Sequence, residues 1–379
     1  MLIRLSTLLL SLILSTILVT QANAQTSTPP DSARHILIPG GSYSSDFGAM
    51  GMVNFQRHKY DQAYYPFKSR QRVSGFASTN SSFQIAAQFE FVRQSGVSTL
   101  VHLHGESLPD AQYFGLGNAS VLNKSHWKKD EYSHHRTRAG LILQHEMPII
   151  RDGNRNRLSW NVRSRVWYQE FGFSEAGFLQ EEKPFGWEGG WWNSAGIGLA
   201  WDTRSDVFRP QSGSWIRGHI TYAPSFAGNI SDVGRLSITA SHYRSFHLIR
   251  DITIAGQINY EQITGNAPWY MMPSLGGEYN VRGFTTDRFR GNSVLNYTIE
   301  ARTWLFELPI LDAEVGGQIF VDGGRVQNNP FTENMLQDHK LTVGVGGAVS
   351  VFSPNFIIRG DIGFSKEMYR IYTGIGYTF

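Results

Sequence analysis

Past its first two dozen residues, this chain keeps its apolar residues in alternation and nowhere gathers them into a block. Ser82–Val92 sets Phe83, Ile85, Ala87, Phe89 and Phe91 against Gln84, Ala86, Gln88 and Glu90. Arg157–Glu170 sets Leu158, Trp160, Val162, Val166 and Tyr168 against Asn161, Arg163, Arg165 and Gln169. Successive side chains of a strand point to opposite faces, so each stretch reads as a strand with one apolar and one polar face. No segment after the leader approaches the roughly 18 apolar residues of a spanning helix. Runs of about ten residues separated by turn clusters instead fit tilted strands that cross a bilayer, apolar outward and polar inward.

The beginning of the chain supplies an address. Arg4, the apolar run Leu8–Val19 and the small-x-small triplet Ala22-Asn23-Ala24 read as a secretory signal over residues 1–24. The run is too short for a spanning helix. The mature chain is expected to begin near Gln25, with a short polar lead over residues 25–35 and a barrel over residues 36–379. Composition agrees with a membrane barrel: 13% aromatic residues, with 39 glycines and 10 tryptophans. A water-soluble barrel shares the alternation, but the exported address and the aromatic last strand argue against it. With no cysteine, an exported chain has no disulfide framework. A net charge of +3 is too small to imply nucleic acid or a polybasic membrane arm. The basic excess is assigned to the lumen, because Arg163 and Arg165 facing lipid near mid-bilayer would cost about 2–4 kcal/mol each.

Taken in order, the alternation predicts strands over Ile36–Ser44, Phe47–Arg57, Gln71–Thr79, Ser82–Val92, Val97–Ser107, His134–Glu146, Arg157–Glu170 and Ala195–Thr203. Eight more follow: Ser214–Ala223, Val233–Phe246, Ile252–Thr264, Ser293–Phe306, Glu314–Val326, Leu341–Phe352, Phe356–Glu367 and Tyr369–Phe379. The fold class is therefore all-β, a transmembrane antiparallel barrel of about sixteen strands. On the last strand, Tyr369, Ile371, Thr373, Ile375, Tyr377 and Phe379 are expected to face one way, and Arg370, Tyr372, Gly374, Gly376 and Thr378 the other.

The stretch Met272–Val326 departs from plain alternation. A Gly-rich, charged segment, Leu275–Arg290, separates two strands. The strand Ser293–Phe306 puts Asn296, Thr298, Glu300 and Arg302 on one face, and the strand after it puts Gln318, Phe320 and Asp322 on one face. Three short motifs accompany this arrangement: Val281-Arg282-Gly283-Phe284, Phe320-Val321-Asp322-Gly323-Gly324, and Asp202-Thr203-Arg204 followed by Pro210 and Gly213.

These motifs, in this order, resemble those of the outer-membrane assembly and two-partner-secretion superfamily, the bacterial surface antigen family that includes BamA, TamA and FhaC. The resemblance implies a Gram-negative outer-membrane barrel with its sixth external loop folded inward. In that reading Arg282 meets Asp322 on the inner wall, Glu300 lies close by, and Gly283 allows close backbone approach. It puts the turns at Asp202–Gly213 and Ser353–Asn355 on the periplasmic side. It makes Tyr377 and the terminal Phe379 an assembly signal for the barrel-assembly machinery. Family members usually carry periplasmic POTRA domains, for which the lead over residues 25–35 has no room. The implied function is a translocation or insertion pore for polypeptides, or lipids; the alternatives are an accessory barrel or a small-solute channel with the loop as a permanent plug. Lipid, lipopolysaccharide, a polypeptide client and further copies of the chain are the partners so implied.

Other chemistry is weaker. Asp130, Ser133, His134 and His135 are close in sequence, but neighbours on a strand point apart, and no G-x-S-x-G is present. His102 and His104 share a face without an evident third ligand, so no metal is expected. Catalysis and a cofactor are not expected either. Trp187, Trp191 and Trp192 are read as an interfacial girdle or loop packing.

Overall fold

The structure, a computed structural model, describes residues 33–128, 131–172, 177–309, 313–351 and 357–379. The leader, the lead up to residue 32, Asp130 and the Ser353–Asn355 turn lie outside the described residues. Sixteen strands form one sheet, each bonded to its neighbours in chain order. They are β1 (Ala33–Ser44), β2 (Gly48–Lys59), β3 (Ser69–Ser78), β4 (Phe83–Val92), β5 (Ser98–Gln112), β6 (Ser133–Asp152), β7 (Arg155–Gly172) and β8 (Gly189–Asp202). After the 203–211 turn come β9 (Ser212–Ala223), β10 (Val233–His247), β11 (Asp251–Thr264), β12 (Ser293–Leu308), β13 (Ala313–Gln327), β14 (Lys340–Val351), β15 (Ile357–Phe364) and β16 (Tyr369–Ile375). All pairings are antiparallel.

The facing follows the alternation. Ile299 is 57% exposed on the outer surface, while its neighbour Glu300 is 0% exposed. Likewise Ile319 and Val321 face out, and Gln318, Phe320 and Asp322 are buried. An open sheet of this size must curl to bury its polar face, and closing the ring leaves few edges unpaired. Several strands run further than their apolar alternation: β6 continues to Asp152, and β8 starts at Gly189 within the expected loop. Hydrogen-bonded pairing does not need an apolar face, so ladders such as Tyr168↔Trp191 extend past the apolar band. One end of the barrel carries the long connections, 113–132, 173–188, 265–292 and 328–339; the other carries mostly shorter turns.

The last strand differs from its expectation. Alternation continues in sequence to Phe379, but β16 stops at Ile375. Gly376 takes a φ of +86°, a conformation that favours glycine, and turns the chain. Tyr377 and Phe379, expected on the outer face, turn into the lumen. The Phe379 ring lies 6.1 Å from that of Tyr243, an inward residue of β10, and the Arg302 guanidinium sits 4.1 Å from the Tyr377 ring.

The ring closes weakly where its ends meet. Among the described residues, one backbone hydrogen bond joins the region of β1 to β16, from Ser45 N to Ile371 O at 3.1 Å. Side chains add Arg370 to the Ser45 carbonyl at 2.7 Å and a contact between the Ser42 and Thr373 hydroxyls.

An inward-folded loop and its charge cluster

The 265–292 connection turns back into the barrel. Its base is a two-residue ladder that pairs Ser274 with Arg290 and Leu275 with Phe289. Gly276 and Gly277 take φ near +110° there, and Asn280 Oδ1 accepts from the backbone N–H groups of Gly276 and Val281 at 2.7 and 2.6 Å. Leu275, Val281, Phe284 and Phe289 join Val294 and Val326 of the wall in one buried cluster. Gly324 makes room for it: a Cβ there would come within 2.7 Å of Leu275 Cδ1. The loop is thus seated by an apolar core of its own, which leaves Arg282 pointing at the wall.

Arg282 is fully buried. Its Nε and Nη2 donate to Asp322 Oδ2 and Oδ1, both at 2.8 Å, in a bidentate fork, and its backbone N–H reaches Oδ2 at 3.1 Å. Nη2 also lies 2.7 Å from Glu300 Oε1, and Nη1 lies 3.2 Å from Asp361 Oδ2. The guanidinium stacks 3.3 Å from the Phe320 ring centroid. Burial pushes the guanidinium pKa down, but the bond to Asp322 and the charges of Glu300 and Asp361 more than offset this and hold it above its ordinary value. Arg302 donates to Glu300 at 2.7 Å, and Arg359 lies 3.0 Å from Asp361. Three carboxylates and three guanidiniums therefore alternate, and the cluster is neutral before Glu278 joins Arg359 at 2.6 Å.

The loop backbone is gripped as well. Gly283, with φ +99°, lies against β15: a Cβ on it would stand 3.0 Å from the Gly363 and Phe364 backbone. A Cβ on Gly363 would stand 2.7 Å from Gly283 N. Tyr372 of β16 accepts from Gly283 N–H at 3.0 Å and donates to Phe284 O at 2.8 Å. Nearer the loop end, Arg288 forks onto Glu367 at 2.8 and 2.7 Å. Asp287, although burial pushes it up, is held near a pKa of about 2 by Arg290 and Arg136. The tail completes the site: Thr378 Oγ1 lies 3.4 Å from both Arg282 Nη1 and Glu300 Oε1, and Arg302 Nη2 reaches the Phe379 carbonyl at 3.3 Å.

The structure thus brings Val281, Arg282, Gly283, Phe284, Glu300, Phe320, Asp322 and Gly324 together. Sequence reasoning missed Asp361, Arg359, Glu278 and Tyr372. For Asp361, Arg359 and Tyr372 the only signal is an inward position on a strand, shared with many residues; Glu278 lies on the loop itself. Asp202, Arg204, Pro210 and Gly213 form a separate turn at the opposite end, where Arg204 forks onto Asp202 at 3.0 and 2.7 Å. A Cβ on Gly213 would meet Thr203 O at 2.2 Å, so the turn needs glycine.

The other candidates separate. His134 is buried between the Phe171 and Trp269 rings, whereas His135 bonds Ser107 at 2.9 Å. His104 bonds Glu106 at 3.0 Å, and no cluster of three His, Asp or Glu that could hold a metal occurs among the described residues. Trp191 is outward beside Tyr168, Trp192 is turned inward, and Trp187 packs in the loop cluster around Tyr113 and Trp269.

The Omp85 superfamily domain matches residues 65–379. No curated protein matches the chain. Among solved structures, BamA from Haemophilus ducreyi lacking POTRA domains 1–3 superposes at TM-score 0.56 and 14% identity, over 92% of this chain and 70% of that one. CdiB from Escherichia coli gives 0.55 and 13%, over 93% and 64%. CdiB from Acinetobacter baumannii gives 0.49 and 14%, over 92% and 66%. This chain thus spans about two thirds of the length of each, and at such identity the likeness to the first two shows a shared barrel fold. The domain match covers most of the chain, and fourteen of the sixteen strands, β3 to β16, and the inward loop motif fall within it: the chain belongs to the Omp85 superfamily of outer-membrane barrels.

Proposed function

We propose that this barrel inserts or translocates polypeptides, with the Arg282 loop filling one side of the lumen and a client strand entering at the β1–β16 seam. The seam is the observation that carries this reading. β2 zips along the whole of β1, from Ala33↔Lys59 to Ser44↔Gly48, while on the other side, among the described residues, one backbone bond is made, by Ser45 just past the end of β1. Alternate residues of an antiparallel strand aim both N–H and C=O at the same neighbour, so about five residues of β1 offer unmatched groups. Such an edge is a template for strand addition, and in a bilayer each unmatched group costs several kcal/mol. Pro39, of a residue type confined to edges and bulges within sheets, sits in this strand.

The tail links the seam to the loop. β16 is the strand a client would displace, and its continuation ends against Arg302 and Arg282. A client pairing with β1 would draw Thr378 and Phe379 out of the charge cluster and so loosen the loop.

A second reading, a plugged accessory barrel or small-solute channel, is favoured by the fully buried Arg282 cluster. A seam lock separates the two. The chain has no cysteine, so Ser42→Cys with Thr373→Cys introduces a single pair where the two hydroxyls touch. In proteoliposomes, the reduced barrel should speed folding of a urea-unfolded outer-membrane barrel protein, read by heat-modifiability on cold gels, and the oxidised one should not. Equal folding rates with the seam locked and unlocked would leave the plugged-barrel reading standing.

A further inference from the structure

We propose that the cavity between the base of the inward loop and the barrel wall is a binding site for a small aromatic acid, one ring carrying one anionic group. The cavity measures about 200 Å³. The loop lends it Trp269–Ser274, Asp287 and Arg290, and the wall lends it Arg136 and Arg138 of β6, Trp192 of β8 and Arg235 of β10. Register brings the wall side together: across β6 and β7, Arg136 opposes Phe171 and Arg138 opposes Gln169, and all four line the cavity. Asp287 ties the loop side to this wall, because its Oδ2 lies 2.9 Å from Arg290 Nη2 and 3.7 Å from Arg136 Nη1. Arg235 closes the far side, with its Nη2 on the Met271 carbonyl and its guanidinium 4.7 Å from the Trp192 ring.

Donors outnumber acceptors around this space. The four lining guanidiniums, of Arg136, Arg138, Arg235 and Arg290, meet three carboxylates, Glu106, Glu261 and Asp287, which leaves one positive charge. Glu106 Oε1 serves both Arg136 at 2.9 Å and Arg138 at 3.0 Å, and Asp287 Oδ2 is shared in the same way. Arg138 meets Glu106 through Nε alone, and no carboxylate reaches its Nη pair among the described residues. Glu261 is engaged with Arg235 at 2.9 Å. Two neutral donors add to these. Trp269 is 2% exposed and lines the cavity, and its Nε1, like the Tyr270 hydroxyl, is buried without a hydrogen-bond partner among the described residues. A buried donor left unmet is costly, so an acceptor brought by a ligand is favoured here.

Size and lining select the ligand class. An apolar cavity of about 150 Å³ takes benzene. This one is somewhat larger, with room for one ring and one charged group. Phe171, Trp192, Trp269 and Met271 supply apolar surface for the ring. A guanidinium fork matches a carboxylate with two parallel bonds. A doubly charged anion would exceed the excess of one, and a neutral ring would leave the guanidiniums unmet. Loop and wall each form part of the cavity, so the ligand binds only while the loop is seated. It is therefore an effector that holds the loop in, away from the Arg282 cluster, and the site stands whether or not the seam takes a client.

The test titrates the full barrel, in nanodiscs of zwitterionic lipid, with benzoate and reads the heat against empty nanodiscs. Saturable binding is expected, about tenfold or more tighter than that of benzyl alcohol, which has the ring without the charge, or of acetate, which has the charge without the ring. Arg138→Gln removes the excess charge and should weaken benzoate by about tenfold or more, whereas Glu261→Gln adds to the excess and should tighten it. Tyr270→Phe keeps the ring and removes the hydroxyl; it serves should Arg138→Gln fail to fold, and should weaken binding a few-fold. Arg93→Gln, at the opposite end of the barrel, should bind as wild type. Benzoate at about 100 times its Kd should slow trypsin cleavage after the buried Arg288 by about 100-fold, relative to cleavage of a free peptide, because only the seated loop binds it. The proposal is overturned by an absence of saturable binding, by equal affinity for benzyl alcohol, by shifts of the same sign in Arg138→Gln and Glu261→Gln, or by loop cleavage indifferent to saturating benzoate.

Discussion

Arg282→Ala should free the loop more than Asp322→Ala does, and the double variant should be milder than Arg282→Ala alone. Removing Arg282 leaves Glu300, Asp322 and Asp361, all with fully buried side chains, facing only Arg302 and Arg359. Leaving a buried charge unmatched costs about 3–5 kcal/mol. Removing Asp322 instead leaves Arg282 with Glu300 at 2.7 Å and Asp361 at 3.2 Å. The loss is then one forked, charge-assisted contact, about 1.5–3 kcal/mol. In the double variant the remaining two carboxylates match the remaining two guanidiniums, so part of the Arg282→Ala penalty is relieved. Trypsin cleavage after Arg288, which is fully buried, reports loop opening in the folded, heat-modifiable barrel. At 1.4 kcal/mol per tenfold, Arg282→Ala should speed cleavage by on the order of 10²-fold or more, and Asp322→Ala by about 10- to 100-fold. Additive effects in the double-mutant cycle, or a larger effect of Asp322→Ala, would refute the charge-balance argument.

Gly283→Ala should open the loop as well, because the left-handed φ and the 3.0 Å approach to β15 both resist a Cβ; the same cleavage assay should show faster proteolysis with no change in barrel yield. Ile299→Arg puts a charge on the lipid face near the middle of β12 and should cost about 2–4 kcal/mol, seen as less folded barrel on cold gels, whereas a normal yield would mean that the facing is inverted. Deleting Tyr377–Phe379 removes the contacts of the tail to Arg302 and Tyr243 and should raise single-channel noise; its effect on assembly, followed by pulse-chase, tests the terminal aromatic separately as a targeting signal. Asp287 is held near a pKa of about 2, below its ordinary 3.8, so its contribution to loop closure is full above 3.8 and is lost as the pH falls through about 2; pepsin should cleave the loop slowly at pH 4 and faster near pH 2.

The strands were legible because lipid leaves no choice. A charged residue cannot sit beside Ile299 or Ile319 on the outer face, so the alternation alone decides which side of β12 and β13 is the lumen. The partners inside the lumen were not legible in the same way. Inward position narrows Asp361 and Arg359 only to the set of lumen residues, and which of these meet Arg282 depends on where the loop enters and on the curvature of the ring. The meeting of Arg282 with Asp322 could be anticipated from motif resemblance, not from periodicity. The tail failed for a different reason: its alternation is unbroken on paper, and one glycine conformation at Gly376 reverses where Tyr377 and Phe379 go.

A readable trace of the cluster does exist, and it lies in what β14 lacks. The outward residues of β14 are Leu341, Val343 and Val345; its inward residues are Thr342, Gly344, Gly346, Ala348 and Ser350. Glycine weakens a strand interior and persists where another group must approach closely. Here a Cβ on Gly344 would stand 2.1 Å from Phe320 Cζ, and one on Gly346 would stand 2.1 Å from Asp361 Oδ1. The hollow inner face of β14 is therefore the mould for the stacked ring and the third carboxylate, and on β16 Gly374 does the same for Glu278. On β8, a Cβ on Gly196 would stand 2.6 Å from Thr221 Cγ2, and one on Gly198 would stand 2.4 Å from the His219 ring, which bonds Asn161 at 3.0 Å. The same residue type on two inward faces thus admits different groups: on β14 a ring and a carboxylate that complete the charge cluster, and on β8 a threonine methyl and a histidine bonded to an asparagine.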